Sequence, residues 1–396
     1  MKVLLFSIGI LVLIGMEIAR VYFIMPFPGS QVEETIALAY FIQTYRWVFR
    51  MAGIALIAYP AFIYLRGNNA SVKWTVASML GFWLMVVYAF NFRFLADKMF
   101  YQPEHKILVK ADKNKLLKNK LVIGVSIKGE SKAYPIEIIG YHHQVRDTIG
   151  GEAVMITYCT VCRTGRVFSP MVEGQPENFR LVGMDHFNAM FEDNRTKSWW
   201  RQVNGEAIAG SLKGKMLTEV PSEQMALGVW LWLHPDSYIL QPDSSFKEQY
   251  KSLANYDEGK MEGNLERHDS LSWKEKSWVI GISLGLHAKA YDWNDLKKKH
   301  VINDVVDGQP IVLVLENDST SFHAWRRAAG NDTLFFSYID STKTMSDAKS
   351  NSIWSLLGQC QSGPTKGARL NSVQAYQEYW HSWRTFHPGT EKFVDR

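Results

Sequence analysis

Three long apolar segments near the start of the chain constrain its fold more than any other feature. They span residues 3–25, 51–65 and 74–92, lengths close to the roughly 20 residues that a helix needs to cross a bilayer. In lipid the backbone must satisfy its own hydrogen bonds, so such segments are expected to be helices. Residues 1–100 are therefore predicted to form a membrane region of three transmembrane helices in the lipid bilayer. A cleaved signal peptide is the alternative for the first segment, but no small-residue cleavage site follows it.

Charged residues inside these segments are expected to pair or to avoid lipid. Glu17 and Arg20 are three residues apart and share a helix face, so they can pair with each other. Arg46 and Arg50 are expected at an interface or against other helices, because a charge that faces lipid is costly.

Basic residues at the ends of the segments indicate the orientation. Lys2, Arg66 and Lys73 flank one side, whereas the first loop carries Glu33 and Glu34 and no basic residue. The positive-inside rule then places the N-terminus in the cytoplasm. Three spans place the remainder of the chain in the periplasm or at the cell exterior, anchored to the cell (inner) membrane. Two basic residues after the third segment oppose this assignment.

The rest of the chain is a tandem repeat at the level of sequence. Landmarks recur at an offset of 157 residues, and later at 153: Val122-Ile123-Gly124-Val125 as Val279-Ile280-Gly281-Ile282, Lys132-Ala133-Tyr134 as Lys289-Ala290-Tyr291, Val145-Arg146-Asp147 as Ile302-Asn303-Asp304, and Trp230 with His234-Pro235 as Trp383 with His387-Pro388. Sustained offsets predict two copies of one structural unit. The first repeat is assigned to residues 104–260 and the second, degenerate repeat to residues 261–396.

The predicted fold class is an α-helical membrane region followed by a mainly β (α+β) soluble domain of two tandem structural repeats. Short apolar runs between Gly, Asn and Asp turns predict the strands, and amphipathic stretches predict short helices. Strands are predicted at residues 122–127, 153–158, 166–169, 178–182, 279–283 and 311–315, and helices at 136–142, 293–299 and 373–383.

Two of the three cysteines lie together at the end of a predicted strand. Cys159 and Cys162 follow the apolar run 153–157, and at an offset of 157 residues they correspond to Glu316 and Ser319. Thiols at this spacing can close a small disulfide or bind one metal ion. Because only one copy carries them, the first copy is predicted to carry the chemistry. Cys360 is expected to pack as a small core residue.

One interpretation of the pair is thiol–disulfide chemistry. Cations lower the pKa of a thiol, and Arg163 and Arg166 follow the pair closely. An extracytoplasmic compartment also suits a redox disulfide. A strand-like segment follows the second cysteine where thioredoxin-type sites have a long helix, so a thioredoxin-like site is not predicted.

The other interpretation is a metal site with copper or zinc. Two thiolates are half of a tetrahedral zinc site, and the candidates for the remaining ligands are His142, His143 and His186. Copper(I) would accept two or three ligands. Of the histidines, His143 is the preferred ligand or proton donor.

Charge and motifs exclude several other classes of function. The net charge of +5 is modest for 396 residues and the basic residues are scattered, so nucleic-acid binding is not predicted. The chain has no phosphate loop, dinucleotide fingerprint or Ser-His-Asp pattern.

The repeat region resembles an uncharacterised bacterial family catalogued as domain of unknown function 3179. The resemblance rests on three stretches of the first repeat: Ala133-Tyr134-Pro135, His143-Gln144-Val145-Arg146-Asp147-Thr148-Ile149-Gly150-Gly151 and Thr157-Tyr158-Cys159-Thr160-Val161-Cys162. It continues in Thr196-Lys197-Ser198-Trp199-Trp200-Arg201-Gln202 and Gly205-Glu206-Ala207-Ile208-Ala209-Gly210. Inside the pair the chain has Thr160-Val161 where the family has Pro-Leu, and Arg163 where it has Gly. Selenocysteine at a thiol position in some relatives implies redox chemistry. The membrane region is an addition to the family domain.

These observations together predict a membrane-anchored extracytoplasmic thiol oxidoreductase with a redox centre at Cys159 and Cys162. Arg163 and Arg166 would tune the thiols, and a redox partner protein would exchange electrons with them. The alternatives are a copper- or zinc-binding protein using the cysteines with His143 and His186, and a non-catalytic structural domain with a fixed disulfide.

Overall fold

The computed structural model describes residues 1–329 and 332–395 and combines long N-terminal helices with many short strands. The helices are α1 Lys2–Tyr22, α2 Ile36–Thr44, α3 Arg46–Arg66, α4 Ala70–Phe92, α5 Ala96–Met99, α6 Ile136–His142, α7 Leu227–Leu233, α8 Lys247–Ser252, α9 Trp293–Lys299 and α10 Trp380–Phe386. The strands up to the middle of the chain are β1 Leu108–Lys110, β2 Leu121–Ile127, β3 Glu130–Pro135, β4 Gln144–Ile149, β5 Glu152–Cys159, β6 Thr164–Phe168, β7 Met171–Val172, β8 Gln175–Pro176, β9 Phe179–Asp185, β10 Asn188–Asp193, β11 Trp199–Arg201, β12 Ala207–Ala209, β13 Glu223–Ala226 and β14 Tyr238–Leu240. The later strands are β15 Trp278–Leu284, β16 His287–Asp292, β17 Val301–Val306, β18 Gln309–Leu315, β19 Phe322–Arg326, β20 Ala328–Ala329, β21 Asp332–Thr333, β22 Phe336–Ile339, β23 Thr344–Asp347, β24 Ile353–Trp354, β25 Cys360–Ser362, β26 Tyr376–Tyr379 and β27 Glu391–Lys392.

The contacts divide the chain into two compact units. The first, here the membrane-helix unit, contains Met1–Tyr101, Glu177–Arg201 and Gly205–Met216. The second, here the double-sheet unit, contains Gln102–Pro176, Gln202–Asn204 and the described residues from Leu217 onward.

Three helices of the membrane-helix unit, α1, α3 and α4, are long and apolar enough to cross a bilayer, as predicted. Glycines let α1 and α3 approach closely. A Cβ atom added at Gly9 would lie 2.5 Å from Ile57 Cγ2, and one added at Gly53 would lie 2.6 Å from Leu13 Cγ. Small residues at a helix contact of this kind are typical of packing in lipid. The helices indicate association with a lipid bilayer.

A polar cluster joins the three helices and accounts for the charges noted in the sequence. Glu17 accepts from Arg50 at 2.6 Å and from the Asn91 amide at 2.9 Å, and lies 3.4 Å from Arg20. The Asn91 amide oxygen accepts from Arg20 at 2.7 Å and from Arg50 at 2.9 Å. Arg46 donates to the carbonyl of Gln43. Arg50 therefore faces other helices, as the cost of a lipid-facing charge predicts.

The membrane-helix unit also holds a four-stranded antiparallel sheet of order β12-β11-β10-β9. The segment after α1 packs on this sheet. Met184 N donates to the carbonyl of Ile24 at 2.7 Å, and a Cβ at Gly183 would lie 2.2 Å from the same oxygen. The Tyr40 ring meets the Trp199 ring edge-on at 5.0 Å. The sheet is thus fixed to the loop between α1 and α3.

The double-sheet unit contains two sheets of similar strand order. One is β1-β14-β3-β2-β13 and the other is β26-β15-β16-β27. Each contains a glycine covered by a tryptophan from a short helix. A Cβ at Gly124 or at Gly281 would lie 2.2 Å from the ring of Trp230 or Trp383 respectively. Two separate three-stranded sheets, β4-β5-β6 and β17-β18-β19, and a four-stranded sheet, β22-β23-β24-β25, also belong to this unit.

Most predicted elements lie where the sequence placed them. The helices at 136–142 and 293–299 agree with α6 and α9, and the six predicted strands overlap observed ones. The predicted helix at 373–383 was wrong. The strand β26 pairs with β15 there, and the helix α10 begins only at Trp380.

Candidate functional site

The two cysteines of the pair lie at a tight turn between β5 and β6. Cys159 is the last residue of β5 and pairs with Thr164 of β6. Cys162 lies in the turn, which closes through Arg163 at a φ of 56°. Both cysteines are fully buried, and no disulfide joins the described cysteines. The chain therefore presents the pair as two neighbouring thiols. Cys360 packs in a separate apolar core cluster.

Residues from the second half of the chain cover this turn. Tyr379 N donates to the Cys162 carbonyl at 3.0 Å. The Nε2 atom of His381, in α10, lies 3.9 Å from the Cys162 Sγ. The Lys276 ammonium donates to the carbonyls of Val161 and Leu265. A lysine and a histidine are thus the polar groups brought to the thiols.

Burial dominates the electrostatics of this site. It raises the pKa of Cys162 well above its usual range, and the hydrogen bond with Cys159 acts in the same direction. The charge of Lys276 and a hydrogen bond with Ser382 oppose that shift. Burial lowers the pKa of Lys276, against the attraction of the two thiols. It also lowers the pKa of His381 to about 3, so this histidine is neutral at physiological pH.

Arg163 binds groups other than the thiols. Its Nε donates to Gln377 at 2.8 Å, and its terminal nitrogens donate to the carbonyls of Tyr256 and Asp257. Its guanidinium also lies 3.9 Å from the centre of a Trp278 ring. Arg163 thereby ties the turn to the rest of the double-sheet unit.

Arg166 is likewise committed to a different set of partners. Its guanidinium forms a buried ion pair with Glu378 and lies 3.4 Å from the centre of the Tyr376 ring. Glu219 lies 3.7 Å from its Nε. The side chains with the largest effects on the pKa of Cys162 are Cys159, Lys276 and Ser382.

Each of the three candidate histidines has a polar partner of its own. His142 Nε2 lies 2.6 Å from the Tyr250 hydroxyl, and His143 Nδ1 lies 3.1 Å from the Tyr141 carbonyl. Burial lowers the pKa of His143 to about 4. His186 belongs to the membrane-helix unit and pairs with the neighbouring Asp185 carboxylate. Within residues 1–329 and 332–395, no three His, Cys, Asp or Glu side chains are placed to hold one metal ion.

Sequence reasoning missed Lys276 and His381, which lie more than 100 residues after the cysteines. The comparison of the two repeats did contain one sign of this polar site. At the 153-residue offset, His381 stands where the first half has Gly228, and the buried Glu378 stands where it has the buried Met225. Polar residues that replace small or apolar ones in one copy alone indicate a local function.

The comparison with protein families gives one match. The sequence profile described as Protein of unknown function (DUF3179) matches residues 101–390, in agreement with the resemblance found in the motifs. Searches of the curated proteins and of the solved structures found no match to the chain. The matched residues begin after the three helices that are long and apolar enough to cross a bilayer.

Proposed function

The chain belongs to the DUF3179 family, and from this premise we propose that it is a membrane-anchored thiol oxidoreductase. Cys159 and Cys162 would alternate between a dithiol and a disulfide. One observation carries the proposal: two fully buried cysteines share one tight Cys-x-x-Cys turn, and the Lys276 ammonium donates to the Val161 carbonyl inside that turn. The lysine charge offsets part of the effect of burial, which disfavours the thiolate, the reactive form.

The burial of both thiols selects a small oxidant, and we assign a hydroperoxide. The Cys162 thiolate attacks the terminal peroxide oxygen, the O–O bond breaks, and the leaving alkoxide takes a proton to become an alcohol. The Cys159 thiol then attacks the resulting sulfenic acid, forming the disulfide and releasing water. Two thiols are oxidised and one hydroperoxide is reduced. A small dithiol reductant would return the disulfide to two thiols by exchange.

The high thiol pKa sets the expected reactivity. Because burial disfavours the thiolate, the dithiol form gains no stability from ionisation relative to the disulfide. The Cys159–Cys162 couple is therefore expected to have a low reduction potential, so that its dithiol form is a good reductant. The rate of oxidation should rise with pH because the thiolate fraction rises.

We infer that the double-sheet unit arose by duplication, which explains why the second half covers the site. The element order strand–strand–helix–strand–strand–strand occurs from β2 to β6 and again from β15 to β19. Gln224 and Gln377, related by the 153-residue offset, bind each other at 3.0 Å. Tyr379 N binds the turn of the first half at Cys162, and Ala226 N binds the turn of the second half at Ser321. Each half thus covers the turn of the other.

We also propose that the double-sheet unit faces the periplasm or cell exterior. Lys2, Arg66 and Lys73 mark one side of the helices, and the sheet β9–β12 is fixed to the loop on the other side. In a bacterial host, protease added to spheroplasts should cleave a tag at the C-terminus and spare a tag at the N-terminus. The opposite pattern would overturn this orientation.

Copper(I) binding is the second candidate function. It is supported by the proximity of the two thiols, since copper(I) accepts two thiolate ligands. Zinc has less support, because the described residues do not provide the further ligands that its tetrahedral site needs.

The test is hydroperoxide consumption by the full-length protein in detergent with a dithiol reductant. The Cys159→Ser and Cys162→Ser variants should each lose turnover, and Cys360→Ser, which removes the third buried cysteine, should retain it. Turnover that survives both substitutions would overturn the thiol mechanism. Copper that copurifies near one equivalent, and is lost in the double variant, would favour the second candidate instead.

A further inference from the structure

A cavity of about 150 Å³ in the double-sheet unit lies away from the thiols. Its walls are aromatic and its polar groups converge: Trp230, Trp325, Glu223, His234, His323 and Gln374 line it. Glu223 is at the rim, with its side chain 46% exposed, whereas His323 is only 3% exposed at the side chain. No lysine or arginine is among the described residues of the lining. The cavity therefore has a partly exposed carboxylate that a ligand can reach.

His323 joins the cavity to a second carboxylate that lies outside the lining. Its Nε2 atom lies 3.5 Å from Glu316 Oε1, and its Nδ1 atom lies 3.9 Å from the Glu223 carboxylate. Of these two carboxylates, Glu223 is the one that lines the open volume and that a ligand can reach.

The matching place in the first half shows which chemical group fits there. Phe168 bridges to Glu219 in the first half as Trp325 bridges to Ser372 in the second. The residues two positions earlier, Arg166 and His323, therefore occupy the same position. In the first half the Arg166 guanidinium fills the space, stacked on Tyr376.

In the second half the same space stays open because histidine is shorter than arginine. Glu223 stands where the first half has Tyr376, by the 153-residue offset. A carboxylate and aromatic rings are together the groups that bind a guanidinium, by charge-assisted hydrogen bonds and cation–π contact.

We propose that this cavity binds the guanidinium group of a ligand, held by Glu223 and the two tryptophan rings. The ligand would place its guanidinium in this cavity of the second half, where the first half has the guanidinium of its own Arg166. The guanidinium belongs either to a small molecule or to an arginine side chain of a peptide. The site is separate from the thiols, so this proposal stands or fails independently of the thiol mechanism.

The test is calorimetric titration of the full-length protein in detergent with three probes. The probes are methylguanidine, a capped Gly-Arg-Gly peptide, and the same peptide with citrulline, which is neutral and nearly the same shape as arginine. Saturable binding of either guanidinium probe, with the citrulline peptide at least tenfold weaker, is expected. Binding of methylguanidine would identify a small-molecule site, and binding of the arginine peptide alone would identify a peptide site. No binding of either, or equal binding of citrulline, would overturn the proposal.

Two variants locate the site, with one matched control. Glu223→Gln should weaken binding about tenfold or more because it removes the charge. His323→Arg should abolish binding by placing an internal guanidinium in the cavity, as in the first half. Glu262→Gln, at an exposed position outside the lining, makes the same change of net charge and should leave binding unchanged. Unaltered binding in Glu223→Gln would overturn the assignment even if His323→Arg failed to fold. Hydroperoxide turnover measured on Glu223→Gln separates this result from the thiol proposal, since it should be retained.

Discussion

The buried ion pair between Arg166 and Glu378 should couple the two halves of the double-sheet unit strongly. Arg166 lies in β6 and Glu378 in β26, and the two side chains are 2% and 0% exposed. Glu378 also accepts from Ser382 at 3.0 Å. Removing one partner leaves a buried charge without compensation, which costs about 3–5 kcal/mol. Replacing both partners by apolar residues of similar size costs much less.

The perturbation is therefore a cycle of three variants: Arg166→Met, Glu378→Met and the double variant. Met225 already occupies the position that corresponds to Glu378 in the first half, so methionine fits this site. For a domain of this size about 2 °C of melting temperature corresponds to 1 kcal/mol, so each single variant should melt roughly 6–10 °C lower. The double variant should recover most of that loss.

The assay is the melting temperature of the full-length protein in one detergent, followed by tryptophan fluorescence. Glu262→Gln, an exposed carboxylate change, serves as the control and should melt like the parent. Single variants within about 2 °C of the parent, less than the cost of about 1 kcal/mol, would refute the reasoning. So would a double variant that melts as low as the worse single one, because the two charges would then not compensate each other.

Three further predictions concern burial and electrostatics. Burial raises the pKa of Asp257 to about 6 from an ordinary 3.8, so the folded state binds the Asp257 proton more tightly than the unfolded state does. The folded state therefore loses stability as the pH rises from about 4 to above 6. The Asp257→Asn variant should therefore be more stable than the parent by up to about 3 kcal/mol at pH 7.5 and by almost nothing at pH 4. Urea unfolding at the two pH values would measure the difference. An equal difference at both pH values would contradict the prediction. The Lys276→Met variant removes a cation that lowers the pKa of Cys162. In a Cys360→Ser background, alkylation of Cys162 should therefore need a higher pH in this variant than in the protein that keeps Lys276. An unchanged pH profile of alkylation would exclude an effect of the lysine on this thiol. Gly124→Ala places a Cβ 2.2 Å from the Trp230 ring and should cost about 1–3 kcal/mol in urea unfolding, whereas Gly228→Ala, whose added Cβ would be 3.3 Å from its nearest atom, should cost less.

Local patterns predicted the elements, and long-range contacts explain what the sequence did not predict. The apolar runs correctly predicted the three long helices α1, α3 and α4, because a segment suited to lipid must satisfy its backbone hydrogen bonds within a helix. The segment at 373–383 was predicted as helix, but pairing of Tyr376–Tyr379 with β15 overrides its local preference. The sheet β9–β12 packs against residues near Ile24 and Tyr40, a contact over more than 140 residues that no local pattern encodes.

The candidate site was predictable only where its residues are neighbours in the sequence. The spacing of Cys159 and Cys162 identified the thiols directly. Proximity in sequence also pointed to Arg163 and Arg166 as the charges that tune them, yet these side chains bind Gln377 and Glu378. The cation at the thiols is Lys276, which the fold brings from the second half. Side chains near a turn leave it in different directions, so sequence distance is a poor guide to which charge meets which thiol.

The central claim is that Cys159 and Cys162 form a reversible redox pair. The most direct measurement is mass-spectrometric peptide mapping of the full-length protein, purified without oxygen, treated with one equivalent of hydroperoxide and then with a dithiol reductant. The account predicts two free thiols at these positions before treatment, a Cys159–Cys162 disulfide after it, and return of both thiols on reduction, with Cys360 unchanged throughout. Thiols that stay reduced in the folded protein, or that oxidise irreversibly to sulfinic acid without forming the disulfide, would contradict it.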